Sequence, residues 1–386
     1  MSASINKRIL IISHDASRTG GPVLLLNFLK AVKQRNPSLQ IETIIGWPGP
    51  LTSEFEKLGR VLELTEEKYS LPRLVWQKIK KRLGEPQPPL RRQRVARVKA
   101  FTGKVSYDLI FSNTIINGEI LEALQPTKTP IISYIHELET MIRRFTTPTS
   151  LNWVLKYTSH FYTPSPAVTE NLVQRYGVAS TKIGSLRYYI PTSKPNKSIR
   201  AQLGISDDCF VIGAAGTSDW RKGTDLFLQI ALHLKGIANK PFKFLWIGAD
   251  ASLADQQRVL HDLGKTGLDE HILFIGSVDN VPDYLDSLDV FALTSREDPY
   301  PLVVLEAASL KKPILCFDQS GGIVEFVKAA QNITVPYLAT MAFAVALQHL
   351  MNDGNIGAMG ERAYQQYQLL HSAEATLPAF EQVIGI

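Results

Sequence analysis

Residues 290–310, VFALTSREDPYPLVVLEAASL, read as a strand joined to a helix by a short loop. The apolar run Val290–Leu293 is typical of a buried strand. Pro299 and Pro301 keep a helix from beginning before about residue 301, and Pro301 itself suits the first helical position. Asp298 is therefore predicted to lie in a loop, with a helix opening directly after it. Strand, loop and helix in this order form the repeating unit of a parallel α/β sheet.

The start of this helix offers chemistry as well as structure. Free backbone amides near Leu302 and Val303 would make a site for a diphosphate. Glu306 follows Leu302 by four residues and so shares its face, where a carboxylate could accept two hydrogen bonds from a ribose diol. The alternative is a plain structural unit with a buried acid. We favour a binding site, because a carboxylate in an apolar stretch is costly and open α/β sheets bind ligands after strand ends.

The same alternation of apolar strands and amphipathic helices extends along the chain. A lapse into prolines, lysines and polar residues at 188–200 is interpreted as a linker. We therefore predict two Rossmann-like α/β domains, residues 1–190 and residues 200–386, the second ending in helices. The predicted strands are Arg8–Ser13, Gln40–Ile45, Tyr107–Phe111, Thr129–Tyr134, His160–Thr163, Cys209–Ala215, Phe242–Ile247, Ile272–Ile275, Val290–Leu293 and Pro313–Phe317.

A second motif, GAAGTSDWRKG at 213–223, follows the first strand of the second half. Arg221 and Lys222 precede the predicted helix, where cations could stabilise a leaving diphosphate. Cations at a helix N-terminus oppose the helix dipole, so an anion is expected close by. The alternative is a solvated helix start.

Two weaker signals lie in the first half. Gly20 and Gly21, in TGGP at 19–22, would let a ligand approach the backbone between a strand and a helix. The pattern is not G-x-G-x-x-G, which argues against a dinucleotide oxidoreductase. His136 ends the run IISYIHE at 131–137 and is predicted to reach the ligand edge of the sheet, although a lone histidine is often structural.

Composition narrows the classes further. The chain has 386 residues, 45% of them hydrophobic, and two cysteines that read as core residues. The absence of a signal-like or membrane-spanning run leads us to expect a cytoplasmic protein. No HExxH, CxxC pair, Walker A loop or suitably placed D-x-D occurs, so neither a metal nor a cofactor is expected.

Positive charge is concentrated in one segment. Lys78–Lys99 carries nine basic residues and one acid, a charge of +8, and the net charge of +6 leaves −2 for the remainder. We interpret residues 72–100 as a basic insert that docks on an anionic membrane, which would make the protein peripheral on the inner face. The alternatives are a solvated insert and a nucleic-acid contact, of which the latter is not expected.

Together these residues resemble the group 1 glycosyltransferases, family four of the carbohydrate-active enzymes. That family carries two acids separated by seven residues, and Asp298 and Glu306 match this spacing. The first acid is usually Glu, so Asp298 is a departure, and Glu297 beside it could share the role. The resemblance implies that the first acid holds the donor sugar and the second the ribose, with Pro301, Leu302 and Val303 also at the donor. It implies that His136, Lys222 and Asp298 are the catalytic residues.

The resemblance assigns the remaining motifs in the same way. Gly20 and Gly21 match the glycine-rich loop, and His136 matches a histidine that lies against the donor sugar. Lys222 matches a lysine before a glycine, whereas Thr217 stands near the place of an expected arginine, which Arg221 would replace. The stretch 276–295 resembles the region that binds the base, with Val278 near it.

The family implies two Rossmann-like domains facing each other across a cleft, the GT-B architecture. Residues 1–190 would form the acceptor-side domain, and residues 200–386 would form the domain that binds the nucleotide sugar. It implies a retaining transfer from a nucleotide-sugar donor without a divalent metal, with front-face attack assisted by the leaving phosphate. A glycan or lipid-linked acceptor in surface polysaccharide or glycolipid synthesis is the expected partner. The alternatives are a nucleotide-sugar 2-epimerase, a basic membrane or nucleic-acid binder, and a scaffold without activity.

Overall fold

The structure, a computed structural model, describes residues 7–64, 89–192 and 194–386. The chain divides into two compact units. The first takes the chain up to Thr163 together with Thr169–Leu186 and Leu377–Ile386, and the second takes Pro164–Val168 and Arg187–Thr376. The last residues thus group with the first unit, although the sequence assigned them to the second domain.

Each unit is built on a parallel sheet. Within the described residues the first sheet has seven strands in the order β3-β2-β1-β4-β5-β6-β7, and the second has six in the order β10-β9-β8-β11-β12-β13. The α/β prediction is therefore confirmed. The strands are β1 Arg8–Asp15, β2 Gln40–Trp47, β3 Val61–Glu63, β4 Leu109–Asn113, β5 Ile131–Tyr134, β6 His160–Thr163, β7 Ile183–Ser185, β8 Phe210–Ala215, β9 Phe242–Ile247, β10 Ile272–Ile275, β11 Val290–Leu293, β12 Ile314–Phe317 and β13 Ile333–Val335.

Helices connect the strands, as parallel pairing requires. Their apolar faces cover the sheets, which explains the near-continuous apolar runs of the central strands. The α-helices of the described chain are α1 Gly20–Arg35, α2 Thr52–Glu56, α3 Pro89–Thr102, α4 Gly118–Ala123, α5 Glu139–Phe145, α6 Pro148–Tyr157, α7 Pro166–Tyr176, α8 Thr224–Ile237, α9 Ala254–Thr266, α10 Val281–Asp286, α11 Leu302–Ser309, α12 Ile323–Ala329, α13 Thr340–Asn352, α14 Ile356–His371 and α15 Ala373–Ile384.

Strand order determines where ligands can bind. In the first sheet β1 lies between β2 and β4, and in the second β8 lies between β9 and β11. Connections therefore leave in opposite directions on the two sides of β1 and of β8. Such a switch point opens a crevice at the carboxyl ends of the strands. The loops after β1, β4, β8 and β11 are the ones placed there.

Several predicted boundaries shift by one or a few residues. Helix α1 begins at Gly20, so the two glycines that were predicted to lie between a strand and a helix are the first residues of the helix. Pro301 precedes α11 with φ −70° and ψ 123° and is its N-cap, so the helix begins at Leu302 and Pro301 does not occupy the predicted first helical position.

The basic insert is described only in part. Residues 72–88 lie outside the described residues, and 89–100 fall within α3. On that helix the Arg94 guanidinium carbon lies 4.7 Å from the ring centre of Trp47. Arg97 Nη2 donates to the Glu63 carbonyl over 2.6 Å. These two cations of the insert therefore serve contacts within the first unit.

Among the described helices, none combines the length and the apolar character that crossing a membrane demands.

Candidate functional site

The loop after β8 is held tightly against the end of β11. Gly223 has φ 74°, and a side-chain carbon there would lie 2.1 Å from the Thr294 carbonyl oxygen. Only glycine fits such a position. The Arg296 N–H donates to the Arg221 carbonyl over 2.8 Å. Arg221 and Lys222 are thereby fixed beside the loop that carries Asp298.

Lys222 and Asp298 form the centre of the candidate site in the second unit. Lys222 Nζ lies 2.5 Å from Asp298 Oδ2, and Arg221 Nη1 lies 3.5 Å from the same oxygen. The Ser295 hydroxyl donates to Oδ2 as well, over 3.3 Å. These three contacts reach one carboxylate oxygen, which leaves Oδ1 outside them. The anion expected near the two cations is therefore Asp298.

Electrostatics keep this buried acid ionised. Burial alone would raise the pKa of Asp298, but Lys222 and then Arg221 outweigh it and hold the pKa below its ordinary value. One carboxylate faces two cations, so the group retains a net positive charge. That surplus suits a phosphate-bearing ligand.

A second glycine-containing loop, which includes Ser320 and Gly321, packs against the backbone of Asp298. Gly321 has φ 130°, and a side-chain carbon there would lie 1.8 Å from the Asp298 carbonyl oxygen. The Asp298 N–H donates to the Ser320 carbonyl over 2.6 Å. This loop was not among the predicted site elements, although glycines between a strand and a helix repeat the pattern that singled out Gly20 and Gly21.

Helix α11 presents Glu306 as expected. Leu302, Val303 and Glu306 keep accessible surface, while Val304 and Leu305 are buried. The N–H groups of Leu302 and Val303 lie in the first turn and have no acceptor inside the helix. The predicted face therefore exists, with first-turn amides and a carboxylate on it.

Glu306 is unusual for its isolation. Within the described residues no hydrogen bond or ion pair reaches its carboxylate. The residue keeps some accessible surface, yet the surrounding protein is dense enough that burial raises its pKa to about 7. A carboxylate that partly faces solvent inside a recess, without a protein partner, is suited to a ligand's hydroxyl groups.

Three further residues of the second unit named from the sequence, Glu297, Val278 and Thr217, have less defined roles. Glu297 lends its carbonyl oxygen to Arg221 Nη1 over 3.0 Å, and its own side chain is half-buried. Val278 is half-buried in the loop after β10, and Thr217 is exposed in the loop after β8. In the part of the chain that is described, no recorded contact joins Val278 or Thr217 to the Lys222–Asp298 pair.

In the first unit, the predicted glycines and histidine come together through Asn113. His136 Nε2 lies 2.7 Å from Asn113 Oδ1, and Asn113 Nδ2 donates to the Gly21 carbonyl over 3.1 Å. Since Oδ1 accepts, Nε2 carries the proton of the imidazole. Gly21, Asn113 and His136 thus form one polar group at the ends of β1, β4 and β5, and Gly20 precedes Gly21 as the first residue of α1.

His136 is held as a neutral ring. Burial first, and then the nearby His14, lowers its pKa to about 3. The adjacent Glu137 binds the Thr114 hydroxyl and the Ile115 N–H, and Thr114 has φ 123°, a strained value for a threonine. Strain of this kind persists where the surroundings enforce it, as at binding sites. Because the lowered pKa keeps the ring of His136 neutral, this side chain can hydrogen-bond a ligand without carrying a charge.

Among the described residues, no three His, Cys, Asp or Glu side chains are grouped closely enough to hold a metal ion.

Comparison with known sequences gives a family match within the second unit. Residues 209–353 match the family model described as glycosyl transferases group 1. The lipopolysaccharide core biosynthesis glycosyltransferase LpsE of Rhizobium meliloti is 26% identical over 189 residues, 48% of this chain and 53% of that protein. The alpha-galactosylglucosyldiacylglycerol synthase of Streptococcus pneumoniae is 28% identical over 173 residues, 41% of this chain and 44% of the relative. The chain spans about half the length of the curated relatives it matches.

Solved structures match over nearly the whole chain. HepE from Anabaena, in complex with UDP and glucose, superposes with a TM-score of 0.80 at 17% identity, covering 98% of this chain and 99% of that one. Sucrose-phosphate synthase from Thermosynechococcus elongatus gives 0.75 at 18% identity, with 98% of both chains covered. At such identities the likeness establishes the fold alone. The chain therefore has the GT-B fold, and its residues 209–353 match the group 1 glycosyl transferase family, as the resemblance predicted.

Proposed function

We propose that the protein is a retaining glycosyltransferase that moves a sugar from a nucleotide-diphosphate sugar to a glycan or lipid-linked acceptor. The observation that carries this proposal is the group Arg221, Lys222 and Asp298 beside the first turn of α11. It offers a net positive charge and free amides, which is what a diphosphate leaving group requires.

The donor's parts can be assigned to separate groups of the second unit. Arg221 and Lys222 neutralise the diphosphate, with Arg221 taking the place of the arginine that Thr217 does not supply. Asp298 keeps Lys222 in position through Oδ2 and offers Oδ1 to a hydroxyl of the donor sugar. Glu306 accepts the two ribose hydroxyls, and Val278 packs near the base.

The chemical step needs no charged base from the protein. In a front-face transfer the bond from the anomeric carbon to the diphosphate breaks, and the acceptor oxygen bonds to the same face. A leaving phosphate oxygen takes the proton of the acceptor hydroxyl. Because the pKa of His136 is about 3, its ring cannot supply a positive charge. We assign it a neutral hydrogen bond to the donor sugar, together with the Gly20–Gly21 backbone.

The relatives support the classes of substrate. Two of them are named for lipopolysaccharide core and glycolipid synthesis, which supports a glycan or lipid-linked acceptor in surface polysaccharide or glycolipid assembly. A structural neighbour holds UDP, which makes UDP-sugars the first donors to test. An acceptor of this kind suits a cytoplasmic enzyme at the inner face of the membrane. The comparisons do not favour an epimerase or a non-catalytic binder.

The test is a donor screen. UDP-, GDP- and ADP-sugars are incubated with the purified protein, and release of the nucleoside diphosphate is measured with and without excess EDTA. We expect one donor class to be turned over, equally well with EDTA, because Arg221 and Lys222 supply the positive charge. Loss of turnover on chelation that magnesium or manganese restores would overturn the metal-free proposal.

A matched pair of variants ties turnover to this site. Lys222→Met should abolish donor turnover, whereas Lys235→Met should not, since Lys235 lies at the other end of α8 and contacts the Gly267 carbonyl. NMR of the transfer product reports the anomeric configuration. Inversion of configuration, or equal activity in both variants, would contradict the proposed mechanism.

A further inference from the structure

A cavity of about 220 Å³ lies within the first unit, and none of the residues assigned to the donor so far lines it. Its lining includes Arg94 and Val98 of helix α3 and Glu122 of helix α4. The exposed rings of Trp47 and Phe145 belong to its lining, and His14 contributes to it as well. The cavity thus combines apolar walls with several polar side chains.

Four polar side chains of this cavity carry buried atoms that have no hydrogen-bond partner among the described residues. His14 Nδ1, Arg94 Nε and Nη2, Asn117 Oδ1 and Glu122 Oε2 are buried atoms without a hydrogen bond among the described residues. All four residues line the cavity. Buried polar atoms are normally paired, and leaving them unpaired costs stability. Five such atoms around one cavity indicate that it is built to receive a polar ligand.

The kinds of unpaired atom define the chemistry of that ligand. Arg94 only donates, whereas Asn117 Oδ1 and the Glu122 carboxylate only accept. A phosphate or carboxylate group would satisfy Arg94 but would face two acceptors with nothing to donate. Hydroxyl groups donate and accept, so neighbouring hydroxyls satisfy both sets. The apolar walls and the rings of Trp47 and Phe145 suit the C–H face of a sugar ring.

The cavity also has a position that suits a second substrate. His14 lines it, and a side-chain carbon on Gly21 would lie 3.8 Å from His14 Cε1 and 3.7 Å from Asn113 Nδ2. The cavity therefore adjoins the group of Gly21, Asn113 and His136 that we assign to the donor sugar. Its volume is below the ~300–1,000 Å³ of common ligand pockets, so it fits a single ring.

We infer that this cavity binds one sugar ring of the acceptor, through Arg94, Asn117 and Glu122 against the rings of Trp47 and Phe145. That this ring belongs to an acceptor rests on the proposed function. The binding of a sugar ring can be measured without it.

The test uses ligand-observed NMR with methyl glycosides of glucose, galactose, mannose and N-acetylglucosamine as probes. We expect at least one to bind the wild-type protein and to bind about tenfold more weakly to Arg94→Met and to Glu122→Gln, since each loses a hydrogen bond to a charged group. Lys104→Met removes one exposed positive charge of the same unit and should bind like the wild type. Circular dichroism checks that each variant is folded.

The outcomes separate the two proposals. A glycoside signal that both cavity variants retain, or the absence of any glycoside signal, overturns the inference, as would binding of inorganic phosphate that depends on Arg94. Donor turnover is measured in parallel without acceptor. If glycosides bind as expected and no donor is turned over, the proposed function fails and the sugar site stands. If donors are turned over and the variants leave glycoside binding unchanged, the reverse holds.

Discussion

Replacing Glu306 by Gln should make the ligand-free protein more stable and lower its affinity for the donor. Burial raises the pKa of Glu306 to about 7, which is about 2.5 above its ordinary value of 4.5. The folded protein therefore holds this proton more tightly than the unfolded chain does. Stability is lost as the pH rises from about 4.5 to about 7, and the loss amounts to about 3 kcal/mol at most.

The expected result follows from that sign. Gln keeps the shape of the side chain and cannot ionise, so Glu306→Gln should gain up to about 3 kcal/mol at pH 8 and almost nothing at pH 4. For a domain of this size the gain corresponds to a rise in Tm of roughly 5–10 °C in calorimetry. Glu270→Gln, at an exposed position of the same unit, is the matched control and should leave the Tm unchanged at both pH values.

Donor binding should move the other way. A charged acceptor forms stronger hydrogen bonds than a neutral one, so the variant should bind the donor about tenfold more weakly at pH 8. Wild-type affinity should fall as the pH drops below about 7, and the variant should lose that dependence. Equal destabilisation of Glu306→Gln at both pH values, or unchanged donor affinity, would refute the reasoning.

Three other expectations can be checked with simple variants. Asp298→Asn leaves Lys222 without its buried counter-charge, so donor turnover should fall at least ~100-fold and the unit should lose roughly 3–5 kcal/mol by denaturant unfolding; near-normal turnover would contradict the role of the pair. Gly21→Ala adds a carbon that would lie 3.7 Å from Asn113 Nδ2 and 3.8 Å from His14 Cε1, which are ordinary contact distances. The Tm should therefore stay unchanged while the donor KM rises, and an unchanged KM would mean that the donor does not contact Gly21. The predicted membrane contact of residues 78–99 is measured by co-sedimentation with anionic vesicles at low and high salt. Replacing the exposed Arg92 and Lys99 by Gln should reduce binding to these vesicles. Equal binding to neutral vesicles would contradict a contact that depends on lipid charge.

Much of the fold was readable from periodicity. Four strands coincide with the predicted bounds: His160–Thr163, Phe242–Ile247, Ile272–Ile275 and Val290–Leu293. Val290–Leu293 shows the reason most clearly, because it is apolar and buried at every position. Strands β3, β7 and β13 were not predicted. Each has three residues and lies at or near a sheet edge, where half-exposed positions leave no apolar run to recognise.

The residues of the candidate site could be predicted from the sequence, but the contacts between them could not. Lys222 and Asp298 were each predicted, yet their ion pair joins positions 76 residues apart and depends on β8 and β11 being neighbours. Strand order is a property of the whole sheet, which local spacing does not encode. The cavity beside Arg94 was not predicted for the same reason, since its walls come from elements distant in sequence.

The return of the chain's last helix to the first unit has a consequence for synthesis. Phe380, near the end of α15, stacks on Phe28 at 4.4 Å between ring centres and meets Phe111 edge-on at 5.5 Å. Asn36 donates to the Glu381 carboxylate over 3.1 Å. The core of the unit that leaves the ribosome first thus lacks a buried aromatic ring until almost all of the remaining chain has been made. The first unit therefore completes its core only after the second unit has been translated, and a truncation before Phe380 would remove part of the core of the first unit.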